Sequence, residues 1–82
     1  MKIVHRSNRA LVLSESYPSS LKPGKSDNVN LYFETDDDNL FVKAEYDSEV
    51  FPCDSTDVAG RLTVRQARAL HKWLGKWLES LE

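Results

Sequence analysis

Residues 62–81 read LTVRQARALHKWLGKWLESL, and their apolar side chains recur every third or fourth position, at Ala67, Leu70, Leu74, Trp77 and Leu81. That spacing sets them on one face of an α-helix. Trp73 and Leu78 widen the stripe to an arc of more than about 100°, the width of a helix that lies on a core. Arg65, Arg68, Lys72 and Lys76 fall on the opposite side. Thr63 suits an N-cap, because its hydroxyl can accept from an orphan N–H of the first turn. Gln66, three residues on, can reach back and close a capping box, so the pattern predicts a helix over 63–81. Gly75 costs about 1 kcal/mol relative to alanine inside a helix. The apolar period continues past it, so one continuous helix is expected, with Gly75 a tolerated surface glycine.

Upstream the period changes from three-four to two. Residues 2–6 (KIVHR) and 10–14 (ALVLS) read as a first hairpin over 2–14, turning at Ser7-Asn8-Arg9. Residues 19–28 (SSLKPGKSDN) carry the Ser, Pro, Gly, Asp and Asn of an exposed loop. Residues 29–46 form the clearest hairpin. If Thr35 pairs with Leu40, then Phe33 opposes Val42, Leu31 opposes Ala44 and Val29 opposes Tyr46, which makes one face apolar. The other face pairs Tyr32 with Lys43 and Asn30 with Glu45, and Asp36-Asp37-Asp38-Asn39 is left as the tip. Residues 49–53 (EVFPC) read as a weak strand, at a sheet edge because Pro52 cannot donate to a ladder. Residues 54–60 are the connection into the helix. The expected architecture over 1–82 is one α+β domain. It has an antiparallel sheet of four to five strands, from two hairpins plus an edge strand, with the C-terminal amphipathic helix packed on one face. Leu70, Leu74, Trp77 and Leu81 would then share a core with Leu31, Phe33 and Val42.

The net charge of −2 conceals a segregation. From Asp27 to Asp57 the acids Asp27, Glu34, Asp36, Asp37, Asp38, Glu45, Asp47, Glu49, Asp54 and Asp57 stand against the single base Lys43. From Arg61 to Lys76 there are bases and no acid. Such asymmetry speaks to partners and association rather than to fold. At 82 residues a chain buries a modest share of its unfolded surface, so each large apolar residue counts. A hydrophobic fraction of 40 % argues against disorder. Cys53 is the single cysteine, which excludes an intramolecular disulfide and fits a reducing compartment, with the thiol packed as a small apolar group. No leader sequence and no spanning helix are expected, which points to a cytoplasmic protein.

The residue set argues against catalysis. His5 and His71 are the two histidines, no serine sits in a nucleophile-elbow sequence, and Cys53 lies in no known local signature. A zinc site wants four nitrogen or sulfur ligands at motif spacing, and the chain has three such residues. The aspartate run fails as a calcium loop, because Phe41 stands where the loop needs glycine and no glutamate closes it. No enzyme activity, metal or cofactor is therefore expected. Trp73, Trp77, Lys72 and Lys76 have interfacial character, but the hairpins need the same apolar face to fold, so no membrane partner is expected.

Two charged surfaces remain. Glu34, Asp36, Asp37, Asp38, Glu45, Asp47 and Glu49 concentrate negative charge on and around the second hairpin. They are the expected partner-binding residues, suited to steering onto a basic surface. Arg65, Arg68, Lys72 and Lys76 share one helix side and are the alternative set, able to track phosphates as a nucleic-acid-binding accessory protein would. Homodimerisation is a further expectation, with seams at Trp73 or at the outer aromatics Tyr32 and Phe41, because so small a domain gains from sharing apolar surface. A homo-oligomeric assembly role is a third reading.

The acidic tip ETDDDN (34–39), the run EYDSEVFPCD (45–54) and the closing helix LTVRQARALHKWLGKWLESL give the chain a resemblance. It resembles small phage or mobile-element accessory proteins of the anti-CRISPR, host-defence inhibitor type. The resemblance implies a non-catalytic viral inhibitor that occludes a nucleic-acid-binding surface of a host protein or protein–nucleic-acid complex, with carboxylates in place of phosphates. It transfers no residue roles.

Overall fold

The structure is a computed structural model that describes residues 1–19, 21–50 and 56–81. Five antiparallel strands form one open sheet in chain order: β1 (Lys2–Arg6), β2 (Ala10–Pro18), β3 (Ser26–Thr35), β4 (Asn39–Ser48) and β5 (Thr56–Thr63). One helix follows, α1 (Val64–Ser80), which gives an α+β fold. Every connection between neighbouring strands joins adjacent elements, so the sheet is a simple meander.

The central hairpin adopts the register that its alternation predicts: Thr35 pairs with Leu40, Phe33 with Val42, Leu31 with Ala44 and Val29 with Tyr46. β2 extends the same rows, with Leu11 opposite Phe33 and Leu13 opposite Leu31. β5 completes them, with Leu62 opposite Leu40 and Val58 opposite Ala44. Because the side-chain period is two, all of these residues share one face. On β1 an irregularity between Ile3 and His5 puts Ile3 on that apolar face with Leu13 and turns His5 to the other side with Val12. A bulge of this kind suits an edge strand, where it spoils the template for unwanted pairing.

Two expectations about the strands are corrected. The expected loop 19–28 is shortened to the connection 19–25, because β3 already starts at Ser26. Asn28, expected in that loop, instead lies on β3 and accepts the Ser16 hydroxyl from β2, and one pair further along the Ser14 hydroxyl donates to Asn30 Oδ1 at 2.6 Å. What remains is a tight turn in which the Lys25 N–H donates to the Lys22 carbonyl at 3.3 Å. Pro23 sits at its second position and Gly24 at its third with φ +80°, the backbone that a type II turn demands there. The last strand is also displaced. β5 lies at Thr56–Thr63, in the stretch expected to be a connection. The expected edge strand 49–53 has Glu49 and Val50 in a bend beyond β4, and its residues 51–53, Cys53 among them, lie outside the described residues.

The helix begins as its capping residues dictate. The Thr63 side chain accepts the Gln66 N–H at 3.3 Å, and Gln66 Oε1 accepts the Thr63 N–H at 2.9 Å. Thr63 is at once the last residue of β5 and the N-cap of α1, so no residue separates strand from helix. This junction decides the packing. Among the described residues, α1 approaches β5 and β4 and no other strand, and does not lie across the sheet. Its stripe is open to solvent: Trp77 is 53 % exposed, Leu78 54 % and Trp73 64 %. The expected core of helix and sheet is therefore not formed within one chain. Among the described residues no hydrophobic side chain is fully buried, and the apolar sheet face is half-covered at best.

Candidate docking surface

Three features meet at the end of the sheet where β3 turns into β4. The first is the acidic tip. The Asp36 N–H donates to the Asn39 carbonyl at 2.9 Å, and the Asp37 N–H donates to Asp36 Oδ1 at 2.8 Å. The turn thus consumes one carboxylate oxygen and leaves Asp36, Asp37 and Asp38 exposed. The second is the β1–β2 turn, where the Ala10 N–H donates to Ser7 Oγ at 3.1 Å. It is tied to the tip because the Thr35 N–H donates to the Arg9 carbonyl at 2.8 Å. The third is the start of α1, brought here because Asn39 pairs with Thr63 across β4 and β5.

A cleft of about 450 Å³ lies between tip and helix, lined by Asp36, Asp37 and Asp38 on one side and Val64, Ala67, Arg68 and His71 on the other. The acidic and basic sets, expected to compete as separate surfaces, are neighbours here. Arg68 shares the cleft with the tip yet forms no ion pair with it; the ion pairs among the described residues are both made by Lys43. Among the described residues the tip's charge is thus not taken up by an ion pair. Sequence reasoning passed over Val64, Ala67 and His71 as lining residues. The pairing of β5 with β4 places them there, and that strand was hidden in an apparent loop.

The remaining acids are distributed elsewhere. Glu34 lies on the polar face, exposed, in the row with Phe41 and Arg61. Asp47 is nine residues beyond Asp38 along β4, roughly 30 Å away at about 3.3 Å per residue. Glu49 is beyond it and accepts the Ser26 hydroxyl at 2.8 Å. Glu45 is taken up by the sheet itself. It accepts from Asn30 Nδ2 at 3.2 Å and from the Tyr32 hydroxyl at 3.4 Å, and it pairs with Lys43 at 3.4 Å. Lys43 also reaches Asp57 at 3.8 Å and stands 5.3 Å above the Tyr32 ring. The seven acids therefore do not form one patch: the tip trio stands alone at one end, and Glu45 belongs to a cross-strand network. Among the described residues no group of three or more His, Cys, Asp or Glu converges as a metal site would require.

The network shifts its members. The Asn30 amide holds the Glu45 carboxyl below its ordinary value against desolvation, with smaller lowering contributions from Lys43 and Asp47. Partial burial beside Glu45 raises the Tyr32 phenol. A carboxylate whose folded pKa is depressed adds stability that is present above its unfolded pKa and is lost as pH falls through the folded value. The Glu45 contribution is thus intact at neutral pH and disappears below the ordinary glutamate range. In a carboxyl-detected NMR titration Glu45 is expected to titrate below that range, and Asn30→Ala to move its midpoint upward. An unmoved midpoint in Asn30→Ala refutes the assigned cause.

The four bases Arg65, Arg68, Lys72 and Lys76 are all exposed on one side of α1, opposite the apolar stripe. No helix among the described residues is long and apolar enough to cross a membrane. Comparison with protein-family models, curated proteins and solved structures finds no match to this chain.

Proposed function

We propose that the chain is a non-catalytic binding protein that docks the acidic β3–β4 tip onto a basic surface of another protein. A surface that otherwise holds nucleic acid is the chemistry that three adjacent carboxylates fit best. This reading agrees with the resemblance to phage-type inhibitors of host defence complexes and with a cytoplasmic site of action. The observation that carries it is the tip: Asp36, Asp37 and Asp38 are exposed together on a turn fixed by its own hydrogen bonds. A fixed, like-charged tip steers encounter and needs little ordering on binding. Replacing all three by Asn keeps the turn-forming side-chain oxygens and removes the charge. The triple variant is expected to fold normally and to lose at least about tenfold in affinity for the target captured by the unaltered chain, chiefly through slower association. Unchanged capture with an unchanged salt dependence removes the tip from the function.

A second reading has its own observation. Arg65, Arg68, Lys72 and Lys76 form one exposed stripe with no acid between Arg65 and Lys76 along the helix, which suits direct contact with phosphates. Filter binding decides it. If all four bases engage, the logarithm of affinity falls with the logarithm of salt at a slope of about 3 to 4. Absence of binding at low salt ends this reading.

A further inference from the structure

We infer that the chain is completed by a second copy of itself, in a twofold dimer in which the helix of each copy lies on the apolar sheet face of the other. The inference is independent of the docking function and rests on area, on composition of the two faces and on connectivity.

The area comes first. The chain exposes 6791 Å², whereas a compact monomer of its mass exposes about 5,000 Å². Its radius of gyration is 15.6 Å, against about 12 Å for a compact chain of this length. The excess, about 1,800 Å² per chain, falls within the roughly 1,000–2,500 Å² that each subunit of an obligate homodimer buries. A chain with no fully buried hydrophobic side chain among its described residues has no interior of its own to stabilise it, so the missing interior must come from association.

The two open faces are complementary. One is the helix stripe of Leu70, Trp73, Leu74, Trp77, Leu78 and Leu81. The other is the sheet face of Leu11, Leu13, Leu31, Phe33, Val42 and Val58, with Val58 itself 72 % exposed. Both are apolar, and α1, at 17 residues or about 25 Å, is nearly as long as the strands it would cross. The opposite face of the helix carries its bases, and that of the sheet mixes the polar Asn30, Lys43 and Glu45 with Val12, Tyr32 and Phe41, so each is less apolar than the face proposed to be covered. Each chain thus offers the surface that its copy lacks, which is the condition for a closed twofold interface.

Connectivity makes the exchange intermolecular. With Thr63 serving both β5 and the N-cap, the capping box sets the direction in which α1 departs, and there is no linker through which the helix could turn back over its own sheet. The second copy's sheet is the surface that the stripe can reach without breaking that cap.

Sedimentation equilibrium tests the stoichiometry and is expected to give twice the chain mass of 9.4 kDa at micromolar concentration. The melting temperature of the unaltered chain should rise by roughly 8 °C over a hundredfold increase in concentration, because dissociation is coupled to unfolding. Isotope-filtered NOEs in a sample mixed from labelled and unlabelled chains test the arrangement. Contacts are expected from the Trp77 ring of one copy to the Leu31 and Leu13 methyls of the other. A folded monomer whose melting temperature is independent of concentration overturns the inference. A dimer whose helix-to-sheet NOEs are all within one chain overturns the exchange.

Discussion

Trp77→Asp is expected to abolish the cooperative melting transition at micromolar protein concentration, and Leu74→Asp to do the same. Within one chain neither residue would be a costly one to change, since Trp77 is 53 % exposed and Leu74 37 %. Exposed substitutions ordinarily move stability by no more than about 0.5 kcal/mol. If a second copy covers the stripe, the arithmetic is different. Removing a buried Trp or Leu costs about 2–5 kcal/mol, and an aspartate in its place adds the desolvation of a charge with no partner. A small domain has about 5 kcal/mol in all, so either change removes most of it. Lys76→Asp, on the far side of the helix, is the control and is expected to melt close to the unaltered chain. Circular dichroism melts of the three variants separate the cases. If Trp77→Asp and Leu74→Asp melt like Lys76→Asp, the stripe is a solvent-exposed surface and the proposed interface does not exist.

Local structure was legible in the sequence to the extent that local rules determine it. The central hairpin shows its register in the alternation of Val29, Leu31 and Phe33 against Val42, Ala44 and Tyr46, because a slip of one residue would move every apolar side chain to the wrong face. The helix shows its start in Thr63 and Gln66, because a capping box needs only those side chains and their backbone. β5 was hidden for a reason that is equally physical. Asp57 and Gly60 are poor strand formers, and what holds them is pairing with β4, with Gly60 opposite Val42 and Asp57 opposite Glu45. Strand propensity measures fit to neighbours, and those neighbours are distant in sequence. Asn28 was misplaced in the same way, in the expected loop 19–28 beside Ser26 and Asp27, which also belong to β3. Its polar side chain suggests a loop when read singly, and it accepts the Ser16 hydroxyl once the strands are side by side.

The candidate site was legible in composition and not in geometry. Three consecutive aspartates at a hairpin tip can be read from the chain directly. That Glu45 would be drawn into a network with Asn30, Tyr32 and Lys43 depends on which strand face each occupies. That Arg68 and His71 would line a cleft with the tip depends on the unrecognised β5. The helix stripe carries the most instructive difference. Its periodicity correctly marks a face that demands burial, but periodicity cannot say whose surface buries it. A strand that becomes a helix without an intervening residue is the feature that decides between a chain's own sheet and another's.

That feature can be altered. Inserting Gly-Ser-Gly-Ser between Thr63 and Val64 is expected to convert the dimer into a monomer. Four added residues span up to roughly 14 Å, which exceeds the roughly 10 Å between packed layers. With that reach the helix can leave the end of β5, turn over the edge of the sheet and run back along its own apolar face. The same side-chain contacts are then available within one chain, where linkage gives the helix an effective concentration on the order of millimolar. Against micromolar protein the internal contact wins by on the order of a thousandfold. Some stability is lost with the capping box, about 1 kcal/mol, too little to reverse that preference. Sedimentation of the insertion variant should therefore give a single 9.4 kDa chain, and its melting temperature should no longer depend on concentration. Retention of the dimer with the same concentration dependence would mean that strand–helix connectivity does not govern the exchange.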